Sequence, residues 1–461
     1  MSNSVITAGA VYVPGCTRPT RRGFRRVCAS DEDAVTMAVE AASTVLASWG
    51  RPARAVDALI VALRQSEERV DYGVNPEIIR EALGLAGQVR VTVLSGADEL
   101  SGVEALENAA EGATLIIAAD EGRSDGAFAG AVAVIVDSSS TTVGGLRWRH
   151  VARAAALTQR RWAGAGVDRE PDARYIAHQD RGLLEQLRDN AGDAMAGIDQ
   201  LAVAGDSAVK LPVAGLLGIQ HLAQPDDPIS MGVAGPLAAI VRMAQRPPSR
   251  AAICATGSGR AVLLTVGTDT ECSDRFSWTT APDTGEPSIT NGGGPELPLP
   301  LESPFYSRDW GFILRLEAAR CTMCGYVAFP PAQRPVCPKC QSRDWLATSL
   351  PRDATVFACT ENRFLPDGFP SSLVFVLGEL INGSKYWAPM PPEVRGAQVH
   401  TGDPVRLTLR VFTVRNGIAA YAMKFVQSSL VEADRDVPAG VWPLLAEGIA
   451  ARGEGTHSGM E

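Results

Sequence analysis

The sequence is short of positive charge. Its 461 residues carry 43 Lys and Arg against 52 Asp and Glu, a formal net charge of −9. No long basic patch offsets that balance, which argues against general nucleic-acid binding. A secretory signal, a lipidation motif and an apolar stretch long enough to span a bilayer are also missing. A cytoplasmic protein without membrane contact is therefore expected. Histidine is scarce: of five in the chain, only His150, His178 and His221 precede residue 320. Of nine cysteines, Cys16, Cys28, Cys254, Cys272 and Cys359 are scattered, show no pairing pattern and read as small buried hydrophobes. A reducing compartment suits that usage. What is present is an ordinary globular composition, 46% hydrophobic and 21% charged, in a chain long enough for two or three domains.

The other four cysteines stand together. Residues 320–340 read R-C-T-M-C-G-Y-V-A-F-P-P-A-Q-R-P-V-C-P-K-C, with Cys321, Cys324, Cys337 and Cys340 forming two C-x-x-C pairs twelve residues apart. That is the spacing of a zinc ribbon, in which two tight knuckles close one tetrahedral site. Gly325 fits the turn after the first pair. Four thiolates leave no open coordination position, so a structural Zn²⁺ is expected; iron on the same ligands and a pair of disulfides are the alternatives.

Before this cluster, short apolar strands alternate with helices. Strands are expected at 5–13, 58–62, 89–94, 114–119 and 131–136, and helices at 34–46, 76–83 and 99–110. Asp31, Glu32 and Asp33 read as a helix start, where carboxylates oppose the positive end of the helix dipole. A sparser second half follows, with helices at 181–190 and 235–244 and strands at 201–204, 250–255 and 260–266. The turn Thr256-Gly257-Ser258-Gly259 would let backbone approach a neighbour or a ligand closely. The pattern implies a layered α/β fold.

These residues carry a resemblance. D-E-D-A-V-T-M-A-V-E-A-A (31–42), G-V-N-P (73–76), S-G-V-E-A-L (101–106) and T-G-S-G (256–259) resemble the thiolase superfamily, in particular its 3-hydroxy-3-methylglutaryl-CoA (HMG-CoA) synthase-like branch. The resemblance covers residues 1–268. It implies two similar α/β halves in a five-layered αβαβα domain, usually a homodimer, acting on acyl-CoA or phosphopantetheine thioesters. In that family a cysteine accepts the acyl group, a histidine and an asparagine polarise the thioester oxygen, and in the synthase branch a glutamate handles a proton. Position by position, Glu99 stands where the cysteine belongs, Gly205 where the histidine belongs and Met231 where the asparagine belongs. Only the glutamate is matched, by Glu68, with Glu67 as the alternate register. Glu68 and Glu99 are thus the candidate catalytic residues.

Residues 269–304 are rich in Gly, Pro, Ser and Thr and read as a linker. Residues 303–316 are expected as a short aromatic helix, docked on another surface or on the ribbon. Five strands are expected at 354–359, 373–380, 385–388, 405–412 and 419–425, fitting a small OB-type β-barrel. Helix and ribbon (305–348) with the OB domain (349–428) resemble the DUF35 acyl-CoA-associated family, a rubredoxin-like zinc ribbon joined to an OB fold. That resemblance implies partnership with a thiolase-like or ketosynthase-like enzyme, and possible service to an acyl carrier protein. Residues 429–461 read as an acidic tail with one apolar run at 441–449.

Two functions follow. One is a degenerate thiolase-like scaffold or auxiliary subunit that holds an acyl thioester for an active partner. The other is an acyltransferase, decarboxylase or hydrolase with Cys-independent chemistry on Glu68 and Glu99.

Overall fold

The computed structural model describes residues 4–20, 23–64, 75–94, 98–122, 128–138, 145–155, 173–196, 198, 200–204, 231–245, 250–257, 259–268, 273–282, 310–331, 335–365, 372–415 and 418–428. Its first two thirds are built on one mixed sheet. The strands in chain order are β1 (Val5–Val13), β4 (Ala58–Arg64), β5 (Arg90–Val93), β6 (Ala113–Asp120), β7 (Gly130–Asp137), β8 (Leu146–Ala155), β9 (Gln200–Ala204), β10 (Ala251–Gly257), β11 (Arg260–Thr268) and β12 (Phe276–Thr280). A small hairpin, β2 (Thr17–Thr20) and β3 (Gly23–Arg26), stands apart from it. The helices of this region are α1 (Ala34–Trp49), α2 (Asn75–Ala82), α3 (Ser101–Glu107), α4 (Ala173–Ala191) and α5 (Gly235–Gln245).

The strand order is β5-β4-β6-β7-β1-β8-β11-β10-β9, with β12 also pairing β1. A repeat is visible in it. In the first half β4 and β6 are parallel, while β6–β7 and β7–β1 are antiparallel. In the second half β9 and β10 are parallel, while β10–β11 and β11–β8 are antiparallel. The halves meet where Ile6 pairs with Leu146. Three apolar layers fill the spaces around them. One lies between α1–α2 and the first half, one between both halves and the pair α3–α5, and one between α4 and the second half. The strands β6 (A-T-L-I-I-A-A-D) and β7 (G-A-V-A-V-I-V-D) are buried at every residue, because helices cover both of their faces.

Besides the unexpected hairpin β2–β3, two strands of the core sheet differ from the sequence reading. β8 (L-R-W-R-H-V-A-R-A-A) alternates buried and exposed positions, and its arginines mask an otherwise plain period of two. β12 lies inside the stretch expected to be a linker, yet pairs in parallel with β1 from Gly9–Phe276 to Val13–Thr280. Its Phe276 is buried against the core. Helix α3 begins at Ser101 rather than Glu99, and α4 begins at Ala173 rather than 181.

The C-terminal third is β-rich. Helix α6 (Trp310–Arg315) leads into a three-stranded antiparallel sheet, β13 (Glu317–Cys321), β14 (Val327–Ala328) and β15 (Trp345–Ser349). A five-stranded antiparallel sheet follows. Its strands are β16 (Asp353–Asn362), β17 (Leu373–Leu380), β18 (Lys385–Pro389), β19 (Pro404–Arg415) and β20 (Ile418–Gln427), ordered β18-β17-β16-β19-β20. One apolar cluster runs unbroken from the α1 side of the core sheet through Leu314 and Leu316 to Val405, Leu407 and Phe425.

The acidic triplet before α1 is the polar part of that junction. Asp33 caps α1 in a capping box: its Oδ1 accepts from Thr36 N at 2.8 Å while Thr36 Oγ1 accepts from Asp33 N at 2.9 Å. All three acids also meet the C-terminal strands. Lys424 Nζ lies 2.7 Å from Asp31 Oδ2, Arg410 pairs with Glu32, and Tyr421 donates to Asp33 Oδ2 at 2.7 Å. Tyr12 donates to Glu32 at 2.5 Å, and Val411 N donates to Asp31 O at 2.9 Å. The three acids and the two cations are each at most 5% exposed. Farther along, Arg352 pairs with Glu40 at 3.0 Å. Asp31, Glu32 and Asp33 thus start a helix and also receive a domain that begins about 300 residues later.

Candidate functional site

The four cysteines converge. Cys321 Sγ lies 3.5 Å from Cys340 Sγ, Cys324 Sγ lies 3.5 Å from Cys337 Sγ, and all four sulfurs fall within 4.8 Å of one another. A disulfide needs about 2.05 Å, so these are four free thiols. A tetrahedral Zn²⁺ with Zn–S near 2.3 Å sets its sulfurs about 3.8 Å apart, and the cluster matches that span. The two knuckles are copies. Gly325 N donates to Cys321 O at 3.0 Å and Gln341 N to Cys337 O at 2.8 Å; Cys321 N donates to Tyr326 O and Cys337 N to Ser342 O, both at 2.8 Å. Each turn passes through left-handed backbone, at Gly325 (φ 72°) and Gln341 (φ 63°). Glycine takes that conformation freely, and glutamine takes it at a small cost. The Cys321 thiol is drawn down to about 6: burial opposes ionisation, but the N–H groups of Cys324 and Met323 donate to the sulfur and outweigh it. The Cys337 thiol is lowered in the same way, with burial opposed by the N–H groups of Cys340 and Lys339. The Cys340 thiol goes the other way, pushed up to about 12: the Ser342 N–H favours the thiolate, but the neighbouring sulfurs of Cys324, Cys321 and Cys337 and burial outweigh it. A metal ion would relieve that crowding of sulfurs, and the four together can hold one.

A second constellation sits at the carboxyl ends of the parallel strands β4 and β6, where ligands gather in α/β sheets. The last residues of these strands, Arg64 and Asp120, are register partners. Arg64 Nη1 lies 3.3 Å from Glu99 Oε1 and 3.7 Å from Asp120 Oδ2. Glu99 is two residues before α3, and its side chain is 21% exposed. Asp120 is buried; its Oδ1 accepts from Gly122 N at 2.8 Å and its Oδ2 from Val233 N at 3.2 Å, in the 3-10 turn Gly232–Ala234 that opens α5. Burial raises the Asp120 pKa, opposed by the Gly122 N–H and the Arg64 charge, and the Glu99 charge raises it further. Its neighbour Glu121 turns to the other side of the sheet and accepts from Ala34 N at 3.3 Å, at the start of α1. The end of β6 therefore pins the first turns of helices on both faces.

The expected residues divide as follows. Glu68, Glu67 and Gly205 lie outside the described residues. Glu99 lies two residues before α3, and its carboxylate is engaged by a guanidinium. Met231 is buried beside the 3-10 turn, and a thioether has no N–H to donate to an oxyanion. His150 lies out on β8, 3.1 Å from Arg153 Nε and 3.8 Å from Glu107. A 250 Å³ cavity beside α3 is lined by Leu100, Glu104, Glu107, Arg153 and Arg260, without Glu99. Its cations are also occupied, Arg153 by Glu107 and Arg260 by Glu104. The glycine-rich turn serves this side of the molecule: a Cβ on Gly257 would stand 2.7 Å from Asp98 Oδ2, so the turn approaches a neighbouring side chain. Arg64 and Asp120 escaped the sequence reading. Their signal was a charge closing an otherwise apolar strand, in L-I-V-A-L-R and L-I-I-A-A-D.

No helix among the described residues is long and apolar enough to cross a membrane. No protein-family model matches the chain, and no curated protein matches it. Among solved structures, the chain is similar to a cerulenin-bound OleA of Xanthomonas campestris at 14% identity and TM-score 0.48, over 57% of this chain and 97% of the other. A 3-oxoacyl-(acyl carrier protein) synthase III of Pseudomonas aeruginosa is similar at 17% identity and TM-score 0.45, over 57% and 98%. MvaS in complex with 3-hydroxy-3-methylglutaryl coenzyme A is similar at 16% identity and TM-score 0.45, over 59% and 85%.

Proposed function

We propose that residues 1–268, with β12 (276–280) added to their sheet, are a thiolase-like, HMG-CoA synthase-like domain that holds an acyl-CoA or carrier-protein thioester without Cys-dependent condensation. The chain then acts as a scaffold or auxiliary subunit of an acyl-transfer or C–C bond-forming complex, as a homodimer joined by an active thiolase-like or ketosynthase-like enzyme. The ordered motifs at 31–42, 73–76, 101–106 and 256–259 support the domain, as does the repeated strand order of the two halves. One observation carries the loss of condensation chemistry: the residue at the nucleophile's position, Glu99, is ion-paired with Arg64 at 3.3 Å. A carboxylate held this way is a poor nucleophile toward a thioester, and its mixed anhydride would hydrolyse.

In the same reading Zn²⁺ occupies the four cysteines as a structural ion. Residues 349–428 are an OB-type barrel, supported by a first strand that pairs β17 along most of its length and β19 at its start. The free thiols fit a reducing, cytoplasmic setting. A second reading is favoured by Asp120, whose raised pKa next to Arg64 and Glu99 suits proton handling in a decarboxylase, hydrolase or acyltransferase. The test is turnover of acyl-CoA thioesters by the purified chain alone, and binding of the same thioesters by calorimetry. The scaffold reading expects binding without turnover. Turnover that disappears in Glu68→Gln or Glu99→Gln would replace it with the second reading.

A further inference from the structure

The seam between the core and the β-rich third encloses a small cavity of about 30 Å³, whose wall among the described residues includes Glu32, Arg410, Ala281, Pro282, Val394 and Gln427. Both bodies contribute to that wall. Ala281 and Pro282 follow β12, Val394 lies between β18 and β19, and Gln427 ends β20. The two charged residues in it are an ion pair at most 5% exposed. Their hydrogen bonds can be counted. A carboxylate offers roughly four lone-pair sites. Those of Glu32 receive Tyr12 and Arg410 at Oε1 and Ala29 N at Oε2, 2.9 Å away, so a position on Oε2 remains. Arg410 Nη1 pairs with Glu32, and Nη2 lies 3.4 Å from Tyr12 Oη. Its Nε is buried too and has no hydrogen-bond partner among the described residues. An N–H left in that state on a buried charged group is costly.

The chemistry of this gap selects its occupant. Arg410 Nε needs an acceptor, and Glu32 Oε2 can take a donor, so the occupant must do both. The centre of a water needs roughly 10–15 Å³, so the cavity has room for a water and not for an organic ligand. An anion would accept from Nε but lie against the Glu32 carboxylate, and a cation would lie against the Arg410 guanidinium. The other acids of the seam are already matched: Asp31 by Lys424 at 2.7 Å, and Asp33 by Thr36 N and the Tyr421 hydroxyl.

We propose that the cavity is a site for an ordered water, which accepts from Arg410 Nε and donates to Glu32 Oε2, so that core and β-rich third meet at a hydrated joint rather than a dry one. A bridging water is nearly as favourable as a direct hydrogen bond and costs only its immobilisation. It completes the hydrogen bonding of a guanidinium that the apolar wall around it, Ala281, Pro282 and Val394, cannot serve. The site acts on the seam, whatever the core binds.

The experiment is a crystal structure of the full-length chain at a resolution that orders solvent, with a second crystal soaked in sodium bromide. The expected result is a density peak within about 3.2 Å of both Arg410 Nε and Glu32 Oε2, with no anomalous signal there after the soak. A cavity without density overturns the proposal, and bromide in it overturns the proposal in favour of an anion. Val394→Ile adds one methylene to the wall and supplies a readout in solution through its urea midpoint. If the cavity is wet, the variant expels the water and leaves Nε without a partner. The midpoint should then fall, and the peak should be gone from the variant's crystal. If the cavity is dry, the added methylene fills it to advantage, so an unchanged or raised midpoint also overturns the proposal.

Discussion

The β-rich third is fastened in two ways, and they differ in almost every physical respect. The cysteine cluster gathers four like residues from within 20 positions, in two copied knuckles closed by short backbone hydrogen bonds. The seam joins unlike residues nearly 400 positions apart, Asp31 with Lys424 and Glu32 with Arg410, and it works only because both sides are already folded. The first fastening is local and is able to hold a metal ion, which would balance its four sulfurs. The second balances its own charges but must overcome their desolvation. The sheet β13–β15 should therefore depend on metal while leaving the core indifferent to it, and the seam should make core and β-rich third depend on each other.

Removing the metal is the largest expected break in that comparison. Metal binding to a thiolate site is folding free energy for the residues around it. The full-length chain is expected to carry one zinc per protomer and to lose it in Cys337→Ser. Amide exchange should then accelerate across β13–β15, while β6 and β7, buried at every residue, keep their protection. Loss of protection in β6 and β7 together with β13–β15 would mean that the fastenings are not independent.

Breaking the seam comes next. Asp31→Ala leaves Lys424 buried without its partner, an arrangement that costs about 3–5 kcal/mol. The double change Asp31→Leu with Lys424→Met removes both charges, and also removes Asp31 Oδ1, a buried atom without a hydrogen-bond partner. It should return stability to within about 1 kcal/mol of the unmodified chain or raise it. Urea denaturation of the single and double variants reads both effects. A single substitution costing less than about 1 kcal/mol would place this pair among ordinary surface contacts.

The same contrast explains what the sequence discloses. The cysteine spacing is a local pattern and names its own partners, so the convergence of the four cysteines is legible residue by residue. The strands at 5–13, 58–64, 113–120 and 130–137 are legible because burial on both faces leaves uninterrupted apolar runs. Asp31-Glu32-Asp33 shows its local role as a helix start but hides the long-range one, since nothing near it indicates Arg410 or Lys424. Glu99 could be located from the motif that follows it, but its partner Arg64 is 35 residues upstream at the end of a different strand. β8 and β12 were hidden by composition: arginines interrupt one, and the other lies at the edge of a Gly- and Pro-rich stretch.

The smallest expected effect sharpens the comparison from the core side. Asp31 and Asp120 are both buried carboxylates, but Asp31 has an ammonium at 2.7 Å and Asp120 has its guanidinium only at 3.7 Å. Burial therefore prevails at Asp120 and raises its pKa above the ordinary value of 3.8. Between that ordinary value and the raised one the folded state holds more protons than the unfolded state. The contribution of Asp120 to stability is thus fully present below the unfolded pKa and is lost as pH rises through the folded one. Asp120→Asn cannot titrate. It retains an acceptor for Gly122 N but turns an amide toward the second N–H, so it should be less stable at acid pH. Its deficit relative to the unmodified chain should shrink as pH rises from about 4 to about 7, measured as the difference in urea midpoints at each pH. A deficit that is flat with pH would mean that Arg64, despite its distance, offsets the burial of Asp120.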